Sequence, residues 1–241
     1  MNSLFEAVLD KIANKKSSVL KYANIHNKGD YVILLHGLNR TSYSMSKLAS
    51  ALSENGYHVI NYSYPSRKYS IDVLALSFLD KVINTNCINN KKKIHFVTHS
   101  LGSIILRKYL QEKPMLNIGR IVMITPPNHG SKWVDMLKKS LLSGWILGVS
   151  GKQLGSRSNS YVNTLPPKIE YELGVIAATK SYNPFSSIIF KTKNDGTVTV
   201  NSTKMIGMKD FKEINTTHCI APNNDEVIKN ALNFINYSFF Y

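Results

Sequence analysis

The 241-residue sequence has little cysteine, few acidic side chains and no long apolar run. Its two cysteines, Cys87 and Cys219, form no Cys-x-x-Cys pair and are too few for a disulfide framework. No apolar run reaches the roughly 18 residues that a membrane-spanning helix requires. Residues 1–16 contain Glu6 and Asp10 and lack the apolar core of a signal peptide. Together these absences predict a protein of the reducing cytoplasm.

The sequence also lacks the motifs that bind metals and nucleotides. It has no His-Glu-x-x-His and no paired cysteines, and its Gly151-Lys152 dipeptide lacks the glycine spacing of a phosphate-binding loop. We therefore expect neither a metal nor a cofactor.

The shortage of acids leaves a large positive charge. Lysine and arginine number 30 against 15 acidic residues, which gives a formal net charge of +15. Such a surplus raises nucleic acid or an anionic membrane surface as a partner. The lysines occur in short scattered groups such as Lys91–Lys93 and Lys138-Lys139, with no basic helix and no stripe interleaved with aromatic residues. This distribution argues against a specific nucleic-acid site and favours weak peripheral attraction to acidic lipid headgroups.

Apolar strands and amphipathic helices alternate along most of the chain, which predicts parallel strands joined by helical crossovers. The predicted strands are 31–35, 57–62, 94–98 and 120–125, and the helices between them are 45–52, 71–82 and 101–112. Further strands are predicted at 173–179 and 211–215, followed by a helix over 224–237.

We expect one α/β domain over residues 1–241 with two additions. Residues 1–27 are predicted to be an N-terminal helical extension, because apolar residues recur at helical spacing over 1–16. Residues 128–170 interrupt the alternation yet contain apolar pieces around Trp133 and Trp145. This segment is predicted to form a small lid or pocket wall, and packing of its apolar side chains against the sheet is the alternative.

A serine stands where the strand at 94–98 meets the following helix, in Thr98-His-Ser100-Leu-Gly102. A turn this sharp exposes the serine Oγ above the sheet edge, and the helix N-terminus behind it favours negative charge. We interpret Ser100 as a nucleophile, although a serine that merely caps the helix would give a similar pattern.

The first strand ends in His36-Gly37-Leu38, where the glycine allows the chain to turn. The backbone N–H groups of Leu38 and Leu101 are predicted to form an oxyanion hole. His36 is expected only to shape this loop by hydrogen bonding.

A nucleophilic serine needs a histidine base, and only His129 and His218 follow Ser100. His218 lies just after the predicted strand 211–215, where a base belongs. His129 is expected at the rim of the substrate pocket. Cys219 has no strand–turn–helix context and is expected to be a buried neighbour of His218.

The base needs a carboxylate to orient it, and three aspartates compete for this role. Asp195 lies in a turn after the strand at 173–179, and Gly196 allows that turn to aim the side chain inward. Asp210 precedes the strand that ends before His218, so the two would lie at opposite ends of it. Asp135 falls within a predicted helix. Asp195 is therefore the preferred acid, with Asp135 and Asp210 as rivals.

Several short segments in this order resemble the α/β-hydrolase fold family, and within it the bacterial lipase/esterase-like serine hydrolases. They include Leu34-Leu-His-Gly-Leu38, Phe96-Val-Thr-His-Ser-Leu-Gly102, Asn194-Asp-Gly196 and Thr217-His218. The resemblance implies a mostly parallel central sheet with helices on both faces. It also implies Ser100 as nucleophile, Asp195 as acid and His218 as base. Thr98 stands where the family most often has glycine, and Ser103 replaces a frequent second glycine.

These features predict cleavage of carboxylic esters through an acyl-enzyme. The apolar character of residues 128–170 favours acyl-chain or lipid substrates, with Trp133 and Trp145 in the pocket. Two alternatives use the same scaffold: an acyltransferase with the same three residues, and a lipid-binding protein without enzymatic activity.

Overall fold

The structure is a computed structural model that describes residues 18–22, 29–89, 91–182 and 189–241. Within these ranges, seven strands form one sheet. They are β1 (Ser18–Tyr22), β2 (Tyr31–Leu35), β3 (His58–Ser63), β4 (Ile94–His99), β5 (Ile118–Ile124), β6 (Leu173–Ala178) and β7 (Asp210–Ile214). Their order across the sheet is β1-β3-β2-β4-β5-β6-β7, and every pairing is parallel except that of β1 with β3.

Helices connect the strands and cover the sheet. They are α1 (Ser46–Glu54), α2 (71–86), α3 (Leu101–Glu112), α4 (Lys132–Leu137), α5 (Ser143–Lys152), α6 (Tyr161–Thr164), α7 (Val200–Thr203) and α8 (Asp225–Tyr237). Short 3-10 turns cover Ser42–Met45 and Ala221–Asn223, and the middle of α2, Leu74–Leu79, is π-helical. In the described ranges, no helix is long and apolar enough to cross a bilayer.

The central strands are buried on both faces, which explains their continuous apolar sequences. In β2, Val32 and Leu34 belong to the core under α1 and α8, whereas Ile33 and Leu35 belong to the core under α2 and α3. Because successive side chains of a strand point to opposite faces of the sheet, β2 contributes to two separate hydrophobic layers. The predicted α/β class, with a mostly parallel sheet between two helical layers, is confirmed.

Most predicted elements agree with the structure to within a few residues. Helix α3 has the bounds expected from its apolar face. Helix α8 begins at Asp225 and is capped by Asn224, whose side-chain Oδ1 accepts a hydrogen bond from the Val227 N–H at 3.1 Å. The π-helical turns in α2 had no signal in the sequence.

The predicted N-terminal helical extension over 1–27 is wrong where the structure describes it. Residues 18–22 form the antiparallel edge strand β1, with Val19 opposite Tyr62 of β3. The strand exists because β3 supplies its backbone partners, and a five-residue segment carries too little periodicity to reveal that pairing. The helix predicted over 1–16 lies outside the described residues.

The 128–170 insertion leaves the sheet after β5 and carries α4, α5 and α6. Buried Arg107 of α3 ties its two ends together, because it donates hydrogen bonds to the carbonyl oxygens of Asn128 (2.8 Å) and Pro166 (3.0 Å). Burial lowers the pKa of Arg107 to about 10, so the guanidinium is still charged at neutral pH. The insertion is therefore anchored to the helix that follows Ser100.

Candidate active site

Ser100 occupies a sharp turn between β4 and α3. Its backbone has φ 51° and ψ −117°, an unfavourable conformation for a residue with a Cβ. The turn is held by a hydrogen bond from the Ser100 N–H to the Ile124 carbonyl at 3.0 Å. A Cβ added at Gly102 would lie 2.5 Å from the Leu35 oxygen, so the close crossing of α3 over β2 requires glycine there. The strained conformation is thus imposed by the surrounding packing.

The two departures from the usual family pattern are hydrogen-bonded to each other. The hydroxyls of Thr98 and Ser103 lie 2.8 Å apart, and both side chains are fully buried. Each hydroxyl therefore satisfies the other in a site that excludes water. The pair joins the end of β4 to the first turn of α3, on either side of Ser100.

Ser100, His218 and Asp195 form a continuous hydrogen-bonded chain. The His218 Nε2 lies 3.0 Å from Ser100 Oγ, and Nδ1 lies 2.7 Å from Asp195 Oδ2. The other carboxylate oxygen accepts the backbone N–H groups of Thr197 at 2.9 Å and Val198 at 2.7 Å. With its Nδ1–H donated to a fixed carboxylate, the imidazole has Nε2 available to accept the serine proton.

The rival acids have other partners. Asp210 accepts a hydrogen bond from the Phe240 N–H at 2.6 Å, near the C-terminus. Asp135 accepts both the N–H and the hydroxyl of Ser156, at 2.8 and 2.6 Å. Neither carboxylate contacts His218. Of the three aspartates considered from the sequence, the structure brings one, Asp195, to the imidazole.

The two segments predicted to stabilise an oxyanion pass beside Ser100. Leu101 is the first residue of α3, so its N–H has no acceptor within the helix. Leu38 lines the same cavity as Ser100. A Cβ added at Gly37 would lie 3.3 Å from the Ser100 Cβ, which shows how closely the 37–38 loop approaches the serine.

A cavity of about 390 Å³ opens onto Ser100 and His218. The 128–170 insertion supplies most of its apolar wall through Trp133, Val134, Trp145, Ile146, Leu147 and Leu154. The structure thus places both predicted tryptophans at this cavity. Arg40 and Arg67 also line it, and Arg67 donates a hydrogen bond to the Trp145 carbonyl. In the part of the chain described, no three His, Cys, Asp or Glu side chains are grouped to bind a metal ion.

Two expectations about this cavity are wrong. His129 is exposed and lines a neighbouring cavity, where its backbone N–H donates to the Ser202 carbonyl at 3.0 Å. The preceding Pro127 lines the Ser100 cavity instead. Cys219 is exposed and lines the Ser100 cavity, because it follows His218 in a loop above the sheet edge.

Comparison with known families identifies the fold. A family model described as alpha/beta hydrolase fold matches residues 30–165, more than half of the chain. The chain is an alpha/beta hydrolase. No curated protein matches the hydrolase by sequence.

Solved structures with the same fold include lipases and esterases. The mature form of a Bacillus licheniformis lipase aligns at a TM-score of 0.63 and 16% identity, covering 92% of this hydrolase and 96% of the lipase. The propeptide form of that lipase aligns at a TM-score of 0.67 and 17% identity. The alignment covers 92% of this hydrolase but only 52% of the longer propeptide chain. A metagenomic carboxyl esterase aligns at a TM-score of 0.58 and 18% identity, and the alignment covers 80% of this hydrolase and 65% of the esterase. At these identities the likeness carries the fold alone.

His99 is a buried histidine beside His218, and the sequence did not single it out. His99 contacts the backbone of His218, with its Nε2 3.0 Å from the His218 carbonyl oxygen. Burial is the main reason that the pKa of His99 lies well below its ordinary value, and the nearby His218 lowers it further. The neutral ring therefore donates its Nε2–H and positions the His218 main chain. The two residues are 119 positions apart, so no sequence signal links them.

His36 is buried in the loop before Leu38. Its Nδ1–H donates to the Gly37 carbonyl at 2.8 Å, and its Nε2 accepts the Tyr64 N–H at 3.2 Å. Burial lowers the pKa of His36 to about 4, so the ring is neutral near pH 7. This is the loop-shaping role expected from the sequence.

The low pKa of His36 predicts a loss of stability in mild acid. In the unfolded chain the ring takes up a proton near pH 6.5, whereas in the folded protein it does so near pH 4. The unfolding free energy should therefore fall as the pH drops from 6.5 to 4, by up to roughly 3 kcal/mol from this ring. Urea unfolding at pH 7 and pH 4.5 measures the drop. His36→Asn should shrink it and exposed His129→Asn should not, whereas an unchanged drop in His36→Asn would contradict the assignment.

Proposed function

We propose that this hydrolase cleaves carboxylic esters through an acyl-enzyme on Ser100. The proposal rests on one observation above others: the hydrogen-bonded chain Ser100–His218–Asp195 lies at a mainly apolar cavity of about 390 Å³. In this proposal, Ser100 is the nucleophile, His218 the general base and Asp195 the group that orients the imidazole.

The first half of the reaction forms the acyl-enzyme. His218 Nε2 removes the proton from Ser100 Oγ as the oxygen attacks the ester carbonyl carbon. The carbonyl oxygen becomes an oxyanion, which the backbone N–H groups of Leu38 and Leu101 stabilise. The tetrahedral intermediate collapses, the C–O bond to the alcohol breaks, and the protonated imidazole transfers its proton to the leaving alcohol.

The second half releases the acid. A water molecule gives its proton to His218 Nε2 and attacks the acyl carbon. The bond to Ser100 Oγ breaks, and the imidazolium returns a proton to the serine. Asp195 stabilises the positive imidazolium in both halves, because its Oδ2 accepts the Nδ1–H throughout.

An acyl chain is the substrate group that fits the cavity best. Its wall is mainly apolar, and apolar contact stabilises a bound chain by about 0.8 kcal/mol per buried methylene. Solved relatives by fold include a lipase, a phospholipase of Legionella pneumophila (TM-score 0.61, 19% identity, 73% of this chain and 44% of that one) and a carboxyl esterase. These names support an ester of a fatty acid as the substrate class.

A series of p-nitrophenyl esters from acetate to long acyl chains tests this function. We expect hydrolysis of the series, with kcat/KM rising with chain length until the cavity is filled. Purified protein that hydrolyses none of these esters would contradict the proposal.

Trp145 should influence long chains more than short ones. Trp145→Ala removes part of the cavity wall, and loss of contact with about two methylenes lowers kcat/KM about tenfold. We expect that loss for octanoyl esters and a much smaller one for acetyl esters. Tyr237→Ala is the matched control, because Tyr237 is as exposed (62% against 61%) but lies at the end of α8, outside the cavity. Equal losses at every chain length would place Trp145 outside the acyl site.

A further inference from the structure

A second, basic cavity lies in the insertion next to the Ser100 cavity. It measures about 510 Å³, and four cationic side chains line it: Lys138, Lys139, Lys152 and Arg157. Asp135 is the one carboxylate among the described residues that line it; it accepts two hydrogen bonds from Ser156 and lies 3.9 Å from the Lys138 Nζ. The basic cavity therefore carries an excess of positive charge that the reaction at Ser100 does not use.

Exposed apolar side chains adjoin the basic cavity. They form an apolar edge made of Met136, Leu141, Leu142, Trp145 and Val149. Leu141 is 103% exposed and Trp145 is 61% exposed. Large apolar side chains concentrated in 14 consecutive residues, 136–149, are typical of a surface that binds a partner or a membrane.

The basic cavity and the apolar edge form one continuous surface. Lys138 and Lys139 precede Leu141 in the chain, and a Cβ added at Gly144 would lie 3.9 Å from the Lys152 Nζ. Gly144 itself lies between Leu142 and Trp145 in the sequence. Trp145 also lines the Ser100 cavity, so this surface reaches the opening of the candidate active site.

We propose that this surface docks on a bilayer containing anionic phospholipids. Lipid phosphates would enter the basic cavity, and the apolar edge would insert at the boundary between headgroups and acyl chains. Charge complementarity favours this partner, because the chain carries +15 and four cations surround the basic cavity. Exposed leucines beside the cations favour a bilayer over nucleic acid, which offers phosphates but no apolar layer for aliphatic side chains. This docking goes beyond the proposed ester hydrolysis and does not depend on it.

Cosedimentation with vesicles tests the charge component. The protein carries Ser100→Ala so that no lipid is hydrolysed, and vesicles consist of phosphatidylcholine alone or mixed with phosphatidylglycerol. We expect binding to the mixed vesicles, weakened at least about tenfold by Lys139→Glu/Lys152→Glu. Lys81→Glu/Lys191→Glu makes the same change in net charge elsewhere and should weaken binding by no more than about twofold. Equal losses in both variants would overturn the proposal, because they would reduce the effect to net charge.

A second pair of variants tests the apolar component. Leu141→Ser/Leu142→Ser should lower the fraction bound to the mixed vesicles several-fold and suppress the shift of tryptophan fluorescence on binding, to which Trp133 and Trp145 both contribute. Ile88→Ser/Leu116→Ser is the matched control, since Leu116 is 102% exposed but lies before β5, outside this surface. Binding that is unaffected by the leucine changes, or that DNA of equal phosphate concentration abolishes, would identify a general polyanion site and overturn the proposal.

Discussion

Ser100→Ala should abolish ester turnover, with a loss of about 10⁴ to 10⁶ in kcat. The change removes the one oxygen that lies 3.0 Å from His218 Nε2 and leaves the imidazole, the carboxylate and the cavity in place. The fold should be retained, because alanine keeps the Cβ at the same backbone angles and the hydroxyl contributes little to packing. Hydrolysis of p-nitrophenyl esters, followed with circular dichroism as a check on folding, measures the effect.

Ser103→Ala is the control for this experiment. It removes another buried serine hydroxyl, in the first turn of α3, that pairs with Thr98 and not with His218. We expect a stability loss of about 1 kcal/mol and activity within about tenfold of the original. Retention of more than a tenth of the activity in Ser100→Ala would contradict Ser100 as the nucleophile.

Asp195→Asn should cost about 10⁴ in kcat, by analogy with other serine hydrolases of this type. Asparagine has nearly the same shape and can still accept the backbone N–H groups of Thr197 and Val198. It lacks the negative charge that stabilises the imidazolium, and its amide can hold His218 in the wrong tautomer. The protein should therefore fold normally and bind ester with little change in KM while kcat falls.

Asp135→Asn and Asp210→Asn are the matched controls. Their carboxylates accept hydrogen bonds from Ser156 and from the Phe240 N–H, so these changes should affect stability and leave kcat within a few-fold. A loss of about 10⁴ at either control instead of at Asp195 would show that the acid was misplaced, even if Ser100 were still required.

The sequence was sufficient for the central strands β2 to β6 because they are buried on both faces. A run such as 31–35 has few structural interpretations when a helix of regular period follows it. Ser100 could be singled out for the same reason, since its position at a strand–helix junction is a local property. The edge strand β1 could not, because its five residues are stabilised by pairing with β3 and not by a pattern of their own.

The remaining features of the site depend on contacts between distant parts of the chain. The sequence left Asp135 as a rival acid, because the hydrogen bond that occupies its carboxylate comes from Ser156, 21 residues away. His99 positions His218 across 119 residues, and Arg40 and Arg67 meet at the cavity from separate loops. His129 lies outside the Ser100 cavity and Cys219 lies exposed at it, both against expectation, because loop geometry, unlike strand burial, has no period in the sequence.

Labelling with a fluorophosphonate tests the central claim most directly. Such a reagent phosphonylates a serine only when a neighbouring base activates the hydroxyl, so it reports on the chain from Ser100 to Asp195 without assuming a substrate. We predict one adduct per protein, located on Ser100 by peptide mass spectrometry, lost in Ser100→Ala and formed far more slowly in Asp195→Asn. A protein that forms no adduct, or forms it on Ser131 in the same cavity, would contradict the account.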